Sequence, residues 1–449
     1  MAAEGAGPGS DGERPSRPDV VRDDALRLAR LARPLTIAAG RFGTPVYVTD
    51  VATLDASASE LAAAFPDPWL RQYSLKANGV PAIVARLGAR GLGANVVSRG
   101  EWALARRAGI PNARTSLEGI GKSPADLRAA VAAARDGDPL IWIAVESVEE
   151  AAATGRLARR AGLGRSGRVA LDVLLRLNPD VVPETQAGLA VGAGTSKFGL
   201  TERGVGEAVE AGGGNGGALR WRGLQVHIGS QLRAIDAWRD GVRRGLALLA
   251  LLGGTIEAFD TLDVGGGFPV VPGGELAPTP ARFARELPAL IEGIPADRRP
   301  RRLVVEPGRF LVARAGWLLA RVLHVQLRGG PVAVIDAGMT ELIRPALYGA
   351  RHPVVALTSL GRPIDPGEAG RRTELTRVDG PICESTDTFG LHELPALRRG
   401  DLVAIADAGA YAASIASAYN GRPRPAQVLL EPDGSLILGR RRGSLRSLW

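Results

Sequence analysis

The chemistry in this sequence centres on a lysine. Lys76 lies in Tyr73-Ser74-Leu75-Lys76-Ala77-Asn78, at the close of a short β-type run. An ammonium is costly to bury unless it is paired or chemically used. A desolvated lysine loses basicity and can condense with a carbonyl as a Schiff base. A lysine snorkelling at a strand end would carry the same local pattern. Leu262-Asp263-Val264-Gly265-Gly266-Gly267-Phe268 sets three glycines directly after another such run. A turn of this kind points successive N–H groups at an anion and lets a phosphate approach closely. His227-Ile228-Gly229-Ser230-Gln231 offers a flat ring for stacking and a hydroxyl for a phosphate, although a lone strand-end histidine is usually structural. Val305-Glu306-Pro307-Gly308-Arg309 supplies an acid, a turn and a base, which a surface ion pair would also explain. Taken together, these pieces are the parts that hold pyridoxal 5′-phosphate: an amine for its aldehyde, glycines for its phosphate, an acid for its pyridine nitrogen.

Such residues need a frame. From about residue 48 to 312 short apolar runs alternate with Ala/Leu/Arg helices, the signature of βαβ units and a parallel sheet. Eight strand-like pieces fit: RQYSLKA, GANVVS, TSLEG, LIWIAV, DVLLRLN, GLQVHIGS, FDTLDVGG and RLVVEPG. Eight units point to a (β/α)8 TIM-type barrel, whose chemistry sits where strands end. After residue 313 short β-type segments are split by Gly and Pro, which predicts a C-terminal mainly-β domain over 313–449. Residues 1–22 read as a disordered tail. Residues 23–47 read as an N-terminal segment packing with the β domain, helical or mixed over 24–39, with TPVYVTD (44–50) as a strand. The Arg-rich end, 440–449, reads as a solvated tail.

Composition excludes several classes. Apolar residues make 45% and charged residues 23% of the 449, ordinary for a globular chain and against a largely disordered one. No apolar run approaches the roughly 20 residues of a membrane span, and the N-terminus lacks a signal-peptide core. The 56 basic residues are almost all arginine, scattered among acids, so the net charge of +9 reads as a solvated surface rather than a nucleic-acid stripe. One cysteine, Cys383, cannot make an intrachain disulfide and fits a reducing, cytoplasmic setting. Lysine occurs only at 76, 122 and 197, and histidine four times, so rare residue types concentrate in the unusual motifs.

With these motifs in order, the chain resembles the diaminopimelate decarboxylase family within the alanine-racemase-like pyridoxal-phosphate enzymes. The likeness runs from TPVYVTD to PRPAQVLL through YSLKAN, GANVVSRGE, NPD, SKFGL, HIGSQ, LDVGGG, EPGR, DAGMTELIRPALY, GPICESTD and DAGAYAASIASAYN. The resemblance implies a catalytic set of Lys76 (Schiff base), His227 (ring stacking) and Cys383 (proton donor). It implies cofactor contacts from Ser230, Gly265, Gly266, Gly267, Glu306, Gly308, Arg309 and Tyr411, and no metal. Arg309, Arg344, Tyr348 and Tyr411 would hold substrate, with the two arginines and Tyr348 on its far carboxylate. Cys383 and Glu384 would enter the site from the partner of a homodimer, Glu384 gripping the far ammonium. Racemases of this fold place arginine where Glu306 stands, so the glutamate argues for decarboxylation. The implied reaction turns meso-2,6-diaminopimelate into L-lysine and carbon dioxide. A related decarboxylase for another amino acid, or a catalytically silent homologue, are the other readings. Two departures stand out. Asn95 replaces the family's usual aspartate, which alters the charge near the cofactor, and Arg99 replaces a usual glycine, which could reshape a loop.

Overall fold

Runs such as Trp142–Val145 are apolar throughout, the pattern of a strand covered on both faces. The computed structural model describes residues 17–165, 170–272, 277–358, 363 and 372–448, and among these eight parallel strands close a barrel in chain order. Helix α1 (Arg17–Phe42), strand β1 (Val46–Asp50) and helix α2 (Val51–Ala64) precede it. The barrel strands are β2 (Leu70–Ser74), β3 (Gly93–Val96), β4 (Thr115–Leu117), β5 (Trp142–Val145), β6 (Leu171–Leu177), β7 (Leu219–Val226), β8 (Thr261–Asp263) and β9 (Arg302–Val305). Pairing of β2 with β9 shuts the ring. Ser98, Ser123, Ser147 and Thr201 each cap a barrel helix, the hydroxyl accepting from the N–H three residues on.

The period of two along these strands sorts side chains by side. Ala94, Val96, Leu117, Ile143, Val145, Val173, Leu175, Leu224, Val226 and Leu262 belong to the large core between strands and helices. The alternate positions Trp142, Ala144, Leu174 and Val304 form a separate apolar cluster that plugs the barrel interior. Further along the same inward rows stand polar residues, Ser116, Arg176, Gln225 and Asp263, all buried. A polar layer therefore lies on an apolar plug, toward the strands' C-terminal ends.

The second body is a nine-stranded sheet with the path β14-β13-β11-β10-β1-β16-β17, β15 bridging β10 and β12. Its strands are β10 (Gly316–Leu327), β11 (Pro331–Ile335), β12 (Val354–Leu357), β13 (Thr373–Asp379), β14 (Thr388–Pro395), β15 (Leu402–Ile405), β16 (Ala426–Leu430) and β17 (Leu436–Arg440). Strand β1 lies between antiparallel β10 and parallel β16. Leu31, Leu35 and Ala38 of α1 pack on Val46, Val48, Trp317 and Val428, so the N-terminal segment is part of this body. Asp50 ends β1, caps α2 and is gripped by both Arg30 nitrogens (2.5 and 3.1 Å), a buried carboxylate where sheet passes into barrel.

Four local expectations shift. Residues 1–16 of the expected tail lie outside the described residues, and helix α1 begins at Arg17, inside the span read as tail. β1 continues to Asp50 within the sheet, so the crossing to the barrel comes three residues after the expected boundary at 47. Strand β14 was not anticipated, because Thr388–Pro395 alternates poorly and ends in Pro. Arg442 near the C-terminus donates to the carbonyls of Phe42 and Pro45 (3.2 and 2.7 Å), tying a segment read as solvated to the N-terminal body.

Candidate active site

Polar residues at the barrel's C-terminal rim face a cavity of about 180 Å³. Its walls include Ser74, Lys76, His227, Ser230, Gly267, Glu306, Gly308, Arg309, Tyr348 and Tyr411. Ser74 and Tyr411, 337 positions apart in the chain, thus meet at the end to which the barrel strands deliver most of the polar wall. Lys76 is not on strand β2 but in the single 3-10 turn Leu75–Ala77 after it, and its side chain is exposed to the cavity rather than buried. The desolvation expected from a strand interior is absent; position, not burial, marks this amine.

The turn is pinned from below and above. The Tyr73 hydroxyl donates to the Asn78 carbonyl (2.9 Å). The Asn78 amide donates to the Gly409 carbonyl (3.0 Å), and the Tyr411 N–H donates to the Ala77 carbonyl (2.9 Å). The loop from the β domain is therefore hydrogen-bonded to the lysine turn of the barrel. Tyr411 has φ +55°, a left-handed conformation uncommon for a bulky residue and typical of residues held for a purpose. Its ring lies 4.7 Å from the Arg309 guanidinium carbon.

The glycine turn follows β8. Gly265 (φ +69°) and Gly267 (φ +101°) occupy backbone that side chains rarely adopt, and a Cβ on Gly266 would strike the Glu306 carbonyl. His227 Nδ1 accepts from the Gly266 N–H (3.2 Å), which leaves hydrogen on Nε2. Burial first, then Lys76 and Arg176, hold its pKa well below the usual 6.5, so the ring is neutral. Arg309, buried, donates through Nε and Nη2 to Ser230 Oγ (3.3 Å each), while its Nη1 has no partner among the described residues. An orphaned guanidinium N–H beside a side-chain-free glycine turn fits an anionic phosphate.

The floor is acidic. Glu118, Asp263 and Glu306 are buried, with carboxyl oxygens within 4.8 Å of one another. Asn95 Nδ2 donates to Glu306 Oε1 (2.6 Å) and Glu118 Oε2 (2.8 Å). Gln225 Nε2 donates to Glu306 Oε1 (2.9 Å) and to Glu118 Oε2. Burial, then Asp263, raises the Glu306 pKa from 4.5 to about 8. Burial, then Glu118, raises that of Asp263 from 3.8 to about 8. An isolated carboxyl of this kind binds a proton more tightly than usual, and a cationic ring N–H facing Glu306 would supply the missing counter-charge.

Beside this cavity lies a polar one of about 370 Å³, sharing Arg309 and lined by Arg344, Gln231 and His352. Arg344 Nη1 donates to His352 Nε2 (2.8 Å), and His352 Nδ1 donates to the Ala406 carbonyl (3.0 Å). Arg344 Nε is buried without a partner among the described residues. Burial, then Arg309, brings its pKa down to about 10, so it stays cationic at neutral pH. Gly265 and Gly266 sit beside the first cavity. Cys383 and Glu384 do not join either cavity: both are exposed, and Glu384 Oε1 accepts from the Tyr419 hydroxyl (2.8 Å). Buried Asp387 shapes their loop by accepting from Ile382 N–H (2.7 Å) and Met339 N–H.

Arg99 does not reshape a loop. It opens the helix 99–107, with its guanidinium on Asp126 (3.0 Å) and largely in solvent. Asn95 does touch the carboxyl floor. Glu118, Gln225 and His352 had no role assigned from sequence. Glu118 directly follows β4 as Glu306 directly follows β9, so a lone acid just past a barrel strand was the available signal. Gln225 and His352 gave none.

Residues 51–313 match the model of the pyridoxal-dependent decarboxylase pyridoxal-binding domain. The chain is 36% identical over 406 residues to diaminopimelate decarboxylase of Aquifex aeolicus, covering 89% of this chain and 90% of that one. It is 36% identical over 420 residues to the enzyme of Deinococcus radiodurans, covering 92% and 96%. Among solved structures it is similar to diaminopimelate decarboxylase from Helicobacter pylori complexed with L-lysine, with a TM-score of 0.80, 29% identity, and 90% and 96% coverage.

Proposed function

The chain belongs to the diaminopimelate decarboxylase family of pyridoxal-dependent enzymes, and we propose that it converts meso-2,6-diaminopimelate into L-lysine and carbon dioxide, the last step of lysine biosynthesis. One observation carries the reading most directly. The cavity that gathers Lys76, His227 and Glu306 adjoins a second one lined by two buried guanidiniums, Arg309 and Arg344, each with a nitrogen that has no partner among the described residues. A substrate with a carboxylate at each end suits that pair of cavities; ornithine and lysine lack the far carboxylate and would leave Arg344 without an anion.

Bound pyridoxal phosphate supplies an aldehyde for amine attachment and an electron sink for the charge left at Cα when carbon dioxide departs. Lys76 is the amine that holds it. Gly265, Gly266, Gly267 and Gly308, with Ser230 and Arg309, receive the phosphate. His227, neutral, would offer a ring face, and Glu306 would serve as the acidic partner of the pyridine nitrogen. Tyr411 closes the cofactor side. Arg344 and Tyr348, with Arg309, would bind the far carboxylate and so fix the substrate's position in the cavity. After carbon dioxide leaves, Cα needs one proton, and Cys383 Sγ–H provides it. Because Cys383 and Glu384 lie outside the cavities of their own chain, they act in a neighbour's site, Glu384 pairing with the far ammonium. The working unit is then a homodimer with shared sites. The single, unpaired cysteine fits a cytoplasmic location.

The test is carbon dioxide release from a panel containing the diaminopimelate stereoisomers, ornithine and lysine. We expect release from the meso isomer and a visible cofactor absorbance that Lys76→Ala removes. Equal rates with ornithine or lysine would end the substrate assignment.

A further inference from the structure

Three carboxyl groups crowd the floor below the cavity, yet the reaction as proposed uses only Glu306. All three are buried, and their oxygens lie within 4.8 Å of one another. Three like charges at that spacing, away from water, cannot all ionise; protons must be shared among them. Asp263 Oδ1 accepts from the Gly265 N–H (2.8 Å), and the Asp263 carboxyl also shares a hydrogen bond with that of Glu306. Glu118 is differently placed. Ser116 Oγ donates to its Oε1 (2.8 Å), while Asn95 and Gln225 donate to its Oε2 and also to Glu306 Oε1. The two amides are thus shared between Glu118 and Glu306 from opposite sides of the barrel. The charged groups facing this cluster from the surrounding strands are Lys76 after β2, Arg176 on β6 and His227 after β7, the last neutral.

We propose that Glu118 is a positioning residue for Glu306, standing as a neutral carboxylic acid whose hydrogen, with the Asn95 and Gln225 amides, makes Glu306 the member of the floor that ionises once a cationic ring N–H faces it. The inference rests on the reading of Glu306 as the partner of the cofactor's ring nitrogen. With these donors on it, Glu306 is a weaker base, and a hydrogen between it and the ring stays on the ring side. Burial and the neighbouring Glu306 both push the Glu118 acid well above its usual range, in keeping with that protonation. The pattern also accounts for Asn95. An aspartate there would turn the shared amide into a fourth acid, facing Glu118 and Glu306 where only donors are tolerated.

Two measurements on the full chain decide the matter. Infrared difference spectra between wild type and Glu118→Gln, both without cofactor at neutral pH, should show loss of a neutral carboxylic-acid carbonyl stretch. Loss of carboxylate stretches alone would overturn the assignment. The second is a cycle of Asn95→Asp, Glu118→Gln and the double variant, read by cofactor absorbance against pH and by turnover. Asn95→Asp should lower turnover about tenfold or more by adding a like charge, and shift the pH dependence of the absorbance. Adding Glu118→Gln should recover most of both, because an amide again faces the acids. Independent, multiplying losses would overturn the coupling. Should the enzyme prefer another amino acid, the infrared band and the absorbance shift would stand, so failure of the substrate reading is distinguishable from failure of this one.

Discussion

His352 and Arg344 show how one residue sets another's task. The Ala406 carbonyl takes the Nδ1 hydrogen, so Nε2 is left to accept from Arg344. Burial, then the Arg344 charge, drives the His352 pKa to about 3, and the ring stays neutral across the working range. His352→Phe removes the acceptor and frees the guanidinium to turn. We expect KM for diaminopimelate to rise about tenfold with kcat much less affected, the size of one hydrogen bond to a charged group. A fall in kcat alone, by steady-state kinetics, would argue against this role. The carboxyl floor makes a second residue-level prediction. Asp263 and Glu306 carry pKa values raised from 3.8 and 4.5 to about 8. Unfolded, they ionise near pH 4; folded and without cofactor they hold their protons. Their contribution to stability is therefore full below about pH 4 and is lost as pH rises to about 8. Melting of the cofactor-free chain should show a falling trend over that window that Asp263→Asn reduces. An unchanged slope in the variant would contradict the shared-proton floor.

At the scale of elements, the junction between β1 and α2 matters most. Asp50 ends a central strand, caps the next helix and pairs with Arg30 of α1, so one side chain joins three elements. Asp50→Ala removes a cap, about 1–2 kcal/mol, and the partner of the half-exposed Arg30. Thermal unfolding should drop by several degrees while turnover of the folded fraction, measured at low temperature, changes little. Preserved melting would mean that α1 is held by its apolar face alone. Here the sequence was informative about each element and silent about their joint. All eight barrel strands were legible, since continuous apolar runs between helical stretches reflect burial on both faces. β14 was not, because its neighbours, rather than its own alternation, hold it in the sheet.

For the whole molecule, the exposed position of Cys383 and Glu384 bears on assembly. If each site borrows these residues, Lys76→Ala and Cys383→Ala chains are both inactive alone. Mixing them after reversible dissociation should restore activity, since some mixed dimers pair an intact lysine with an intact thiol. No recovery, with sedimentation showing that mixed dimers formed, would count against shared sites. The contact between the 409–414 loop and the Lys76 turn has a related meaning: the β domain forms one wall of the cavity, so the two bodies need to be folded together for the site to be complete.

Local order in the chain was enough for the strand–helix alternation, the lysine, the glycine turn and the acid before Pro307. These depend on neighbours within a few residues, and such short-range patterns survive in a linear reading. What the sequence could not reveal was which buried groups face one another. Asn95 and Glu306 are 211 residues apart, and only closure of the barrel brings an amide between two acids. The folded chain likewise leaves Lys76 open to the cavity and keeps Cys383 and Glu384, between β13 and β14 of the sheet, outside it. Burial and mutual charge are properties of the assembled interior, so the protonation of that interior was settled by tertiary structure.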